Sequence, residues 1–335
     1  MRILVLQLKR IGDLVLTAPA LAELRRQFPT ALITLAVTEG CAALLPALPA
    51  IDRTLVFKKN GVNPLFWKQL LFTKFDVCLD FTGNDRSAFF TVLSKASERV
   101  GFAKNNGLRA LVYNRLIDSS VRDHHTVDHY LHLLRALECH RPRVQSALFL
   151  PDAARKTVAS LLGLKKYVVI HPGTARVEKY WESERWAAVI THIRKRHGLE
   201  CVITGGADAF ESAHIAAIQA QLETPCIDLS GKIDLLTFAA VIAQGRACLS
   251  CDTAAVHLAA AFLKPQLALY GLTNPFHWRP RHPRAVIISA AHPETPLIEF
   301  QPRMKGAPMS AISTELVLSA IDALLAEAVS SNFTQ

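Results

Sequence analysis

The chain has 335 residues, half of them hydrophobic, and a formal net charge of +10. This length exceeds the needs of one small core and predicts two domains. No apolar run reaches the roughly 18 residues of a transmembrane helix. The apolar start, Arg2 to Leu8, is short and is followed at once by charge, so it predicts a first strand and not a signal peptide.

The basic surface favours an anionic partner, which could be nucleic acid, an acidic membrane or a phosphorylated substrate, although it could also serve solubility alone. Nucleic acid is the weakest of these because the chain has no basic tail and no alternation of basic and aromatic residues. Seven scattered cysteines predict a reducing cytoplasm without disulfides. Cys248 and Cys251 have CxxC spacing without a second pair, which favours two buried thiols over a zinc site.

The N-terminal segments predict a β-α-β unit. Its parts are a strand from Arg2 to Leu8, a helix from Leu14 to Gln27 and a strand from Leu32 to Val37. The loop between strand and helix should lie at the carboxyl edge of a parallel sheet, where ligands bind. It lacks the Gly-x-Gly-x-x-Gly dinucleotide fingerprint. Asp13 in this loop is either a helix N-cap or a carboxylate placed for base chemistry.

A second polar loop, Thr82 to Ser87, follows a predicted strand from Asp76 to Phe81. Arg86 could bind an acidic group bidentately, or it could pair with Asp80 or Asp85.

Several histidines stand between His124 and His132. His125 and His129 are one helical turn apart, but the spacing fixes no third metal ligand. The leucines that follow favour an exposed polar helix start instead. Around Pro142 to Pro151 the pattern breaks, which predicts a linker.

A second alternating series predicts another parallel sheet with helices on both faces. Its strands are expected at Tyr167–His171, Glu200–Thr204, Cys226–Leu229, Ala247–Leu249 and Gln266–Tyr270, and its helices at Ser183–His197, Phe210–Leu222, Asp234–Gln244, Ala254–Phe262 and Thr314–Val329. Two such series predict an α/β fold of two doubly wound domains facing a cleft.

The strand end at Ser250 should open into a helix capped by Asp252 or Thr253, and a helix N-terminus attracts anions. Thr253 can add a hydroxyl to a phosphate. Asp252 would be repelled by a phosphate and should face a sugar ring. His257, one turn after Thr253, points to the same face. The alternative is a capped structural helix with a core histidine.

Other strand ends of this half offer nucleotide contacts. Thr174 and Lys179 fit a pyrophosphate, Glu211 could accept from ribose hydroxyls, and Ile233 could pack on a base. The chain has no Asp-x-Asp, so a magnesium-bridged diphosphate is not indicated. The negative charge of the leaving group would then be stabilised by Lys179 and by the helix N-terminus at Thr253, with Arg176 as a further candidate.

Over almost its full length the chain resembles glycosyltransferase family 9, the heptosyltransferases of lipopolysaccharide core assembly. The resemblance rests on Ile11–Asp13 with Thr17–Leu21, Asp80–Ser87, Arg99–Phe102, His171–Thr174 with Lys179 and Trp181, and Asp252–Thr253 with His257–Ala261. One departure is Ala254, where the family often has glycine. Its methyl group limits how closely a phosphate can approach, which bears on the identity of the donor.

The resemblance implies a GT-B fold made of two Rossmann-like domains. Residues 1–150 would bind the acceptor, residues 151–312 the nucleotide sugar, and a helix at 313–330 would pack back on the first domain. It also implies ADP-heptose as donor, an anionic lipopolysaccharide-core acceptor, no cofactor and no nucleic acid partner. The enzyme would be cytoplasmic, with peripheral contact to the inner membrane.

The resemblance also assigns residues. Asp13 would be the general base of a single inverting displacement, with Lys179 as the second catalytic residue. The donor ligands would be Thr174, Lys179, Glu211, Ile233, Asp252, Thr253, Ala254 and His257; the acceptor ligands would be Arg10, Gly12, Arg86 and Arg99; no residue would bind a metal. Alternatives are a related transferase with another nucleotide sugar or glycan acceptor, a nicotinamide oxidoreductase and a non-catalytic binding protein.

Overall fold

The computed structural model describes residues 1–103, 107–139, 148–163 and 165–330, without the side chains of 327–330. Its contacts divide the chain into two compact units, Met1–Phe149 and Leu150–Gln335. Most of the linker predicted around Pro142 lies outside the described residues.

The first unit is a parallel six-stranded sheet in the order β3-β2-β1-β4-β5-β6, flanked by helices. Its strands are β1 Arg2–Gln7, β2 Leu32–Thr38, β3 Arg53–Phe57, β4 Val77–Asp80, β5 Glu98–Phe102 and β6 Arg115–Ile117. Its helices are α1 Ile11–Gln27, α2 Pro64–Phe72, α3 Asp85–Leu93 and α4 Thr126–Leu133, with 3-10 segments at Glu39–Ala47, Gly107–Val112 and Leu134–Leu137.

The second unit repeats this plan with the order β12-β11-β10-β7-β8-β9. Its strands are β7 Tyr167–His171, β8 Glu200–Ile203, β9 Ile227–Asp228, β10 Ala247–Cys251, β11 Gln266–Tyr270 and β12 Ala285–Ser289. Its helices are α5 Asp152–Leu162, α6 Ser183–His197, α7 Ala209–Gln219, α8 Leu235–Gln244, α9 Ala254–Ala261, α10 Pro275–Trp278 and α11 Thr314–Ser330, with 3-10 segments at Val177–Lys179 and Met309–Ala311.

Each sheet has a topological switch point beside its first strand. In the first unit β1 pairs in parallel with both β2 and β4. In the second unit β7 pairs in parallel with both β8 and β10. Ligands of doubly wound folds bind at the carboxyl ends of the strands on either side of such a point. The predicted doubly wound α/β architecture is therefore confirmed in each unit, and it singles out the loops after β1, β4, β7 and β10.

The core of the second unit includes its last helix. Val317 and Ile321 of α11 are fully buried in the same cluster as Trp181 and Trp186. Trp181 also donates from Nε1 to the carbonyl of Ile312 at 3.0 Å. These contacts of α11 are made within the second unit, and its expected packing on the first domain stays a prediction.

All seven cysteines are free thiols and all are buried. Burial raises the pKa of each of them, to about 12 for Cys78, Cys248 and Cys251. In the described part of the chain, no helix has the length and apolar character needed to cross a membrane.

Candidate functional site

Asp13 lies in the first turn of α1, just after the carboxyl end of β1. The helix begins at Ile11, three residues before the predicted start, and its N-cap is Arg10, whose side chain makes no capping hydrogen bond. The backbone N–H of Leu14 donates to the carbonyl of Arg10 at 3.1 Å, so Ile11 and Gly12 belong to the helix. The N-cap role considered for Asp13 is therefore wrong, and its half-buried side chain is left for other contacts.

A buried tyrosine holds the Asp13 carboxylate. The Tyr130 hydroxyl donates to Asp13 Oδ1 at 2.7 Å. Burial, followed by the charge of Asp13, raises the pKa of Tyr130 well above its usual value, so the hydroxyl remains a donor. The Lys9 ammonium lies 5.6 Å from the centre of the Tyr130 ring. The carboxylate thus has one oxygen fixed by a neutral donor, whose ring also has a cation nearby.

The loop after β4 is shaped by Asp80. This fully buried carboxylate accepts from the backbone N–H groups of Thr82 at 2.8 Å and Gly83 at 3.0 Å, and from the Tyr113 hydroxyl at 2.7 Å. Burial raises the pKa of Asp80, and the hydrogen bonds offset part of that effect. Thr82 in turn accepts from the backbone N–H of Leu8 at 2.8 Å, which joins the loops after β1 and β4.

A pocket of about 140 Å³ opens beside these two loops. It is lined by Lys9, Phe81, Thr82, Gly83, Phe102, Arg109, Ser119, Ser120, Val121 and His129. Burial, followed by the charge of Lys9, lowers the pKa of His129 to about 3, so this ring is neutral. The charged lining groups are Lys9 and Arg109, both cations, so the pocket suits an anionic group.

The predicted acceptor residues fall into two groups. Arg10 and Gly12 directly precede Asp13 at the start of α1. The Arg86 guanidinium lies 5.3 Å from the centre of the Phe57 ring. Arg86 thus packs against an aromatic ring and does not form the ion pair with Asp80 or Asp85 that was considered from the sequence.

Arg99 donates from its guanidinium to the carbonyls of Ala96 at 3.0 Å and Val112 at 2.8 Å. Asp85 instead lies 3.5 Å from Arg109. The acceptor roles of Arg10, Gly12, Arg86 and Arg99 stay predictions.

The histidine-rich segment begins α4, so the predicted helix start is confirmed, but its predicted exposure is wrong because His125 and His129 are buried against the rest of the first unit. The His125 Nδ1 atom accepts from the backbone N–H of Val127 at 3.2 Å and caps the helix. His129 stacks on Phe102 with ring centres 3.8 Å apart, and its Nδ1 lies 3.0 Å from the Ser119 hydroxyl. The two rings therefore serve different local contacts.

In the second unit the loops after β7 and β10 meet through an ion pair. Lys179 Nζ lies 2.5 Å from Asp252 Oδ2, and the two side chains are only 13% and 8% exposed. Thr174, in the same loop as Lys179, is also buried. Its hydroxyl accepts from the backbone N–H of Arg176 at 3.2 Å. The structure thus places the predicted diphosphate ligands Thr174 and Lys179 in the loop after β7, and the ion pair joins this loop to the one after β10.

The helix after β10 starts as predicted, with Thr253 as its N-cap. The Thr253 hydroxyl accepts from the backbone N–H of Ala255 at 3.1 Å. Ala254 is the first helical residue, and His257 is buried one turn further on. Of the two predicted caps, Thr253 is the one found, because the Asp252 carboxylate is engaged by Lys179.

Glu211 is enclosed by glycine-rich turns. A Cβ added at Gly173, Gly205 or Gly206 would lie 2.3, 2.9 or 2.8 Å from an atom of the Glu211 side chain. Burial, offset in part by a backbone hydrogen bond from Gly206, raises the pKa of Glu211. Asp208 caps α7 by accepting from the Glu211 N–H at 3.0 Å. Neither Asp208 nor the role of these glycines was predicted, although a Gly-Gly-x-Asp loop before a helix is a recognisable signal.

Ile233 lies half-buried in the turn between β9 and α8, one residue before Asp234, the N-cap of α8. Its predicted contact with a base stays a prediction, as do the ligand roles of Thr174, Lys179, Glu211, Asp252, Thr253, Ala254 and His257.

The chain is similar to known proteins over most of its length. A family model described as glycosyltransferase family 9 (heptosyltransferase) matches residues 65–307. The chain belongs to glycosyltransferase family 9. It is therefore a glycosyltransferase, as the sequence predicted.

Named relatives of this family match most of the chain. Lipopolysaccharide heptosyltransferase 3 of Escherichia coli is 25% identical over 94% of this chain and 96% of its own length. Lipopolysaccharide heptosyltransferase 1 of Pseudomonas aeruginosa is 27% identical over 82% of this chain and 80% of its own length.

Solved structures of the family share the fold across both units. A family 9 glycosyltransferase from Veillonella parvula superposes with a TM-score of 0.82 at 24% identity, covering 97% of each chain. The ADP-heptose lipopolysaccharide heptosyltransferase II of Escherichia coli superposes with a TM-score of 0.81 at 22% identity, covering 98% of this chain and 99% of its own. The predicted GT-B fold class is thus confirmed.

Proposed function

We propose that this family 9 enzyme transfers a heptose from ADP-heptose to the inner core of lipopolysaccharide, with Asp13 as general base. The observation that carries the proposal is a half-buried carboxylate at the switch point of the first unit, with one oxygen fixed by Tyr130 at 2.7 Å. The names of the relatives support the reaction class. The heptosyltransferase WaaC of Escherichia coli, whose structures contain ADP and ADP-2-deoxy-2-fluoro heptose, supports the donor.

The donor would bind in the second unit. Lys179 would stabilise the charge that develops on the leaving diphosphate, and the N-terminus of α9 at Thr253 and Ala254 would bind its oxygens. Glu211 would accept from ribose hydroxyls, and Asp252 would face the neutral sugar. Because Lys179 and Asp252 are 2.5 Å apart, the diphosphate would enter beside a lysine that is already oriented.

The acceptor hydroxyl would lose its proton to Asp13. Its oxygen would form a bond to the anomeric carbon while the bond from that carbon to the ADP oxygen breaks, so ADP leaves with the electron pair. Attack from the face opposite ADP inverts the configuration in one displacement. The Tyr130 hydrogen bond would orient the carboxylate for this step.

An anionic acceptor fits the first unit. Lys9 and Arg109 line the pocket beside the loops after β1 and β4, and the whole chain carries a formal charge of +10. A phosphorylated or carboxylated lipid core at the cytoplasmic face of the inner membrane has the matching charge, and the enzyme would meet it as a peripheral protein. The proposed transfer uses no metal and no further cofactor.

The test is Asp13→Asn, which keeps the size of the side chain and removes its basicity. ADP release with a lipopolysaccharide-core acceptor should fall by at least about 100-fold, while ADP-heptose still binds by calorimetry. Asp152→Asn is the matched control, because Asp152 is an exposed aspartate that also lies in the first turn of a helix, α5. Turnover of Asp13→Asn at the wild-type rate would remove Asp13 from this role.

A transferase using another nucleotide sugar is the second candidate, and Ala254 favours it because glycine often stands at this position in the family. Thermal stabilisation by ADP, UDP and GDP separates the two, since a ligand that binds the native state raises its stability. If UDP or GDP stabilises the protein and ADP does not, the donor is a UDP- or GDP-sugar and not ADP-heptose.

A further inference from the structure

A cluster of two histidines and one carboxylate joins α6 to α11 in the second unit. His192 Nε2 lies 2.8 Å and His197 Nε2 lies 2.6 Å from the same oxygen, Asp322 Oδ1. The histidines come from the last turns of α6, and the aspartate comes from the middle of α11. None of these residues takes part in the proposed transfer.

The three groups have the composition of a metal site. One ligand atom from each residue lies within 4.8 Å of the other two, and no other such group occurs among the residues that the structure describes. The side chains of His192, His197 and Asp322 are 25%, 18% and 28% exposed, so the site is shielded but open to an ion from solvent. Two imidazoles and one carboxylate are a ligand set that suits Zn²⁺.

Binding an ion requires a modest adjustment of the three side chains, because the imidazole ligand atoms, which lie within 4.8 Å of each other, would approach while both move away from the carboxylate. Ligands at 2.0–2.1 Å from a tetrahedral zinc stand about 3.3 Å apart. The present separations of 2.6 and 2.8 Å would therefore widen by roughly half an ångström. Arg196 lies 3.1 Å from the other oxygen, Asp322 Oδ2. Arg196 therefore does not occupy Asp322 Oδ1, the oxygen that faces the imidazoles. Water would complete the tetrahedron.

The place of the cluster in the fold indicates its role. His197 ends α6 and is followed by β8, which starts at Glu200, so the cluster lies at the amino edge of the sheet. The candidate donor loops follow the carboxyl ends of β7 and β10, at the opposite edge. An ion here would therefore act on stability and not on the reacting atoms.

We propose that His192, His197 and Asp322 bind Zn²⁺ and fasten the last helix to α6. The buried face of α11 already packs into the core through Val317 and Ile321. The ion adds a link on the solvent side of the same helix. Metal binding of this kind stabilises the folded state, because the unfolded chain does not hold the three ligands together.

The experiment is calorimetric titration of the full-length, tag-free protein with Zn²⁺, and with Mg²⁺ as a control ion that disfavours imidazole ligands. One equivalent of Zn²⁺ should bind and raise the melting temperature, and Mg²⁺ should do neither. His192→Gln and Asp322→Asn each keep a hydrogen-bonding group of similar size. Each should weaken Zn²⁺ binding by roughly 100-fold or more, since even partners behind the ligands contribute up to that factor.

Two control variants test the location. His292→Gln removes a histidine outside the cluster, and His124→Ala disrupts the ring contact between His124 and His132, which lie 4.7 Å apart. Both should bind Zn²⁺ like the wild type. The proposal is overturned if no equivalent of Zn²⁺ binds, if His192→Gln and Asp322→Asn bind it unchanged, or if His124→Ala abolishes binding. X-ray absorption of the bound zinc should show two imidazoles.

Discussion

The Lys179–Asp252 pair allows a quantitative test of the donor loops. Lys179→Met removes the ammonium and leaves the Asp252 carboxylate, only 8% exposed, without its partner. Breaking a buried pair costs about 3–5 kcal/mol, and we take about 3 kcal/mol here because Lys179 is 13% exposed. For a unit of this size, that is a fall of about 6–12 °C in melting temperature. Lys179→Met/Asp252→Asn removes both charges and should recover at least half of the loss.

Calorimetric melting of the wild type, both single variants and the double variant gives a complete double-mutant cycle. The coupling between the two residues should be about 2 kcal/mol. ADP should raise the melting temperature of the wild type and not that of Lys179→Met. A Lys179→Met variant as stable as the wild type, or a double variant less stable than either single one, would refute the idea that this ion pair holds the two loops together.

Tyr130, Glu211 and His129 can each be tested separately. Tyr130→Phe removes the hydroxyl 2.7 Å from Asp13 and should lower kcat roughly 10- to 100-fold with an unchanged KM for the donor; unchanged steady-state kinetics would limit Tyr130 to packing. Gly173→Ala places a Cβ 2.3 Å from Glu211 and should weaken ADP binding roughly tenfold by titration calorimetry; wild-type affinity would argue against Glu211 as a ribose ligand. His129 has a pKa of about 3 in the fold and 6.5 as a free group, so the unfolded state takes up the extra proton below pH 6.5. The free energy of unfolding should therefore fall by up to about 1.4 kcal/mol per pH unit as the pH drops from 6.5 towards 3. Urea unfolding measures this free energy for the wild type and for His129→Gln. If it changes with pH by the same amount in both proteins, the prediction is wrong.

The sequence predicted most of the strands that form buried apolar runs, although it missed β12, and it also missed β3 and β6, which have exposed residues. β1 and β7 read clearly because their residues are apolar and buried on both faces. β3 begins with exposed Arg53 and Thr54, and β6 is a three-residue edge strand with two exposed residues. Such strands form because they pair with a neighbouring strand, and the local sequence pattern does not predict that pairing.

The candidate site was predictable where one loop defines it. The cap at Thr253 follows from a polar residue between a strand and a helix former. The contact of Tyr130 with Asp13 spans 117 positions, and that of Lys179 with Asp252 spans 73. Contacts of this kind depend on how helices and loops pack. The composition and spacing of residues therefore predicted which residues belong to the site, but they did not predict which side chains contact each other.

The buried thiols make the native chain suited to site-specific labelling. All seven cysteines are inaccessible and poorly ionised, so a maleimide reagent should leave the folded protein unmodified. Cysteines introduced at exposed positions, such as Gln69 in the first unit and Ala213 in the second, would then be the reactive pair. Fluorescent or spin probes at these two positions would report the separation of the units before and after ADP is added, without first deleting any native residue.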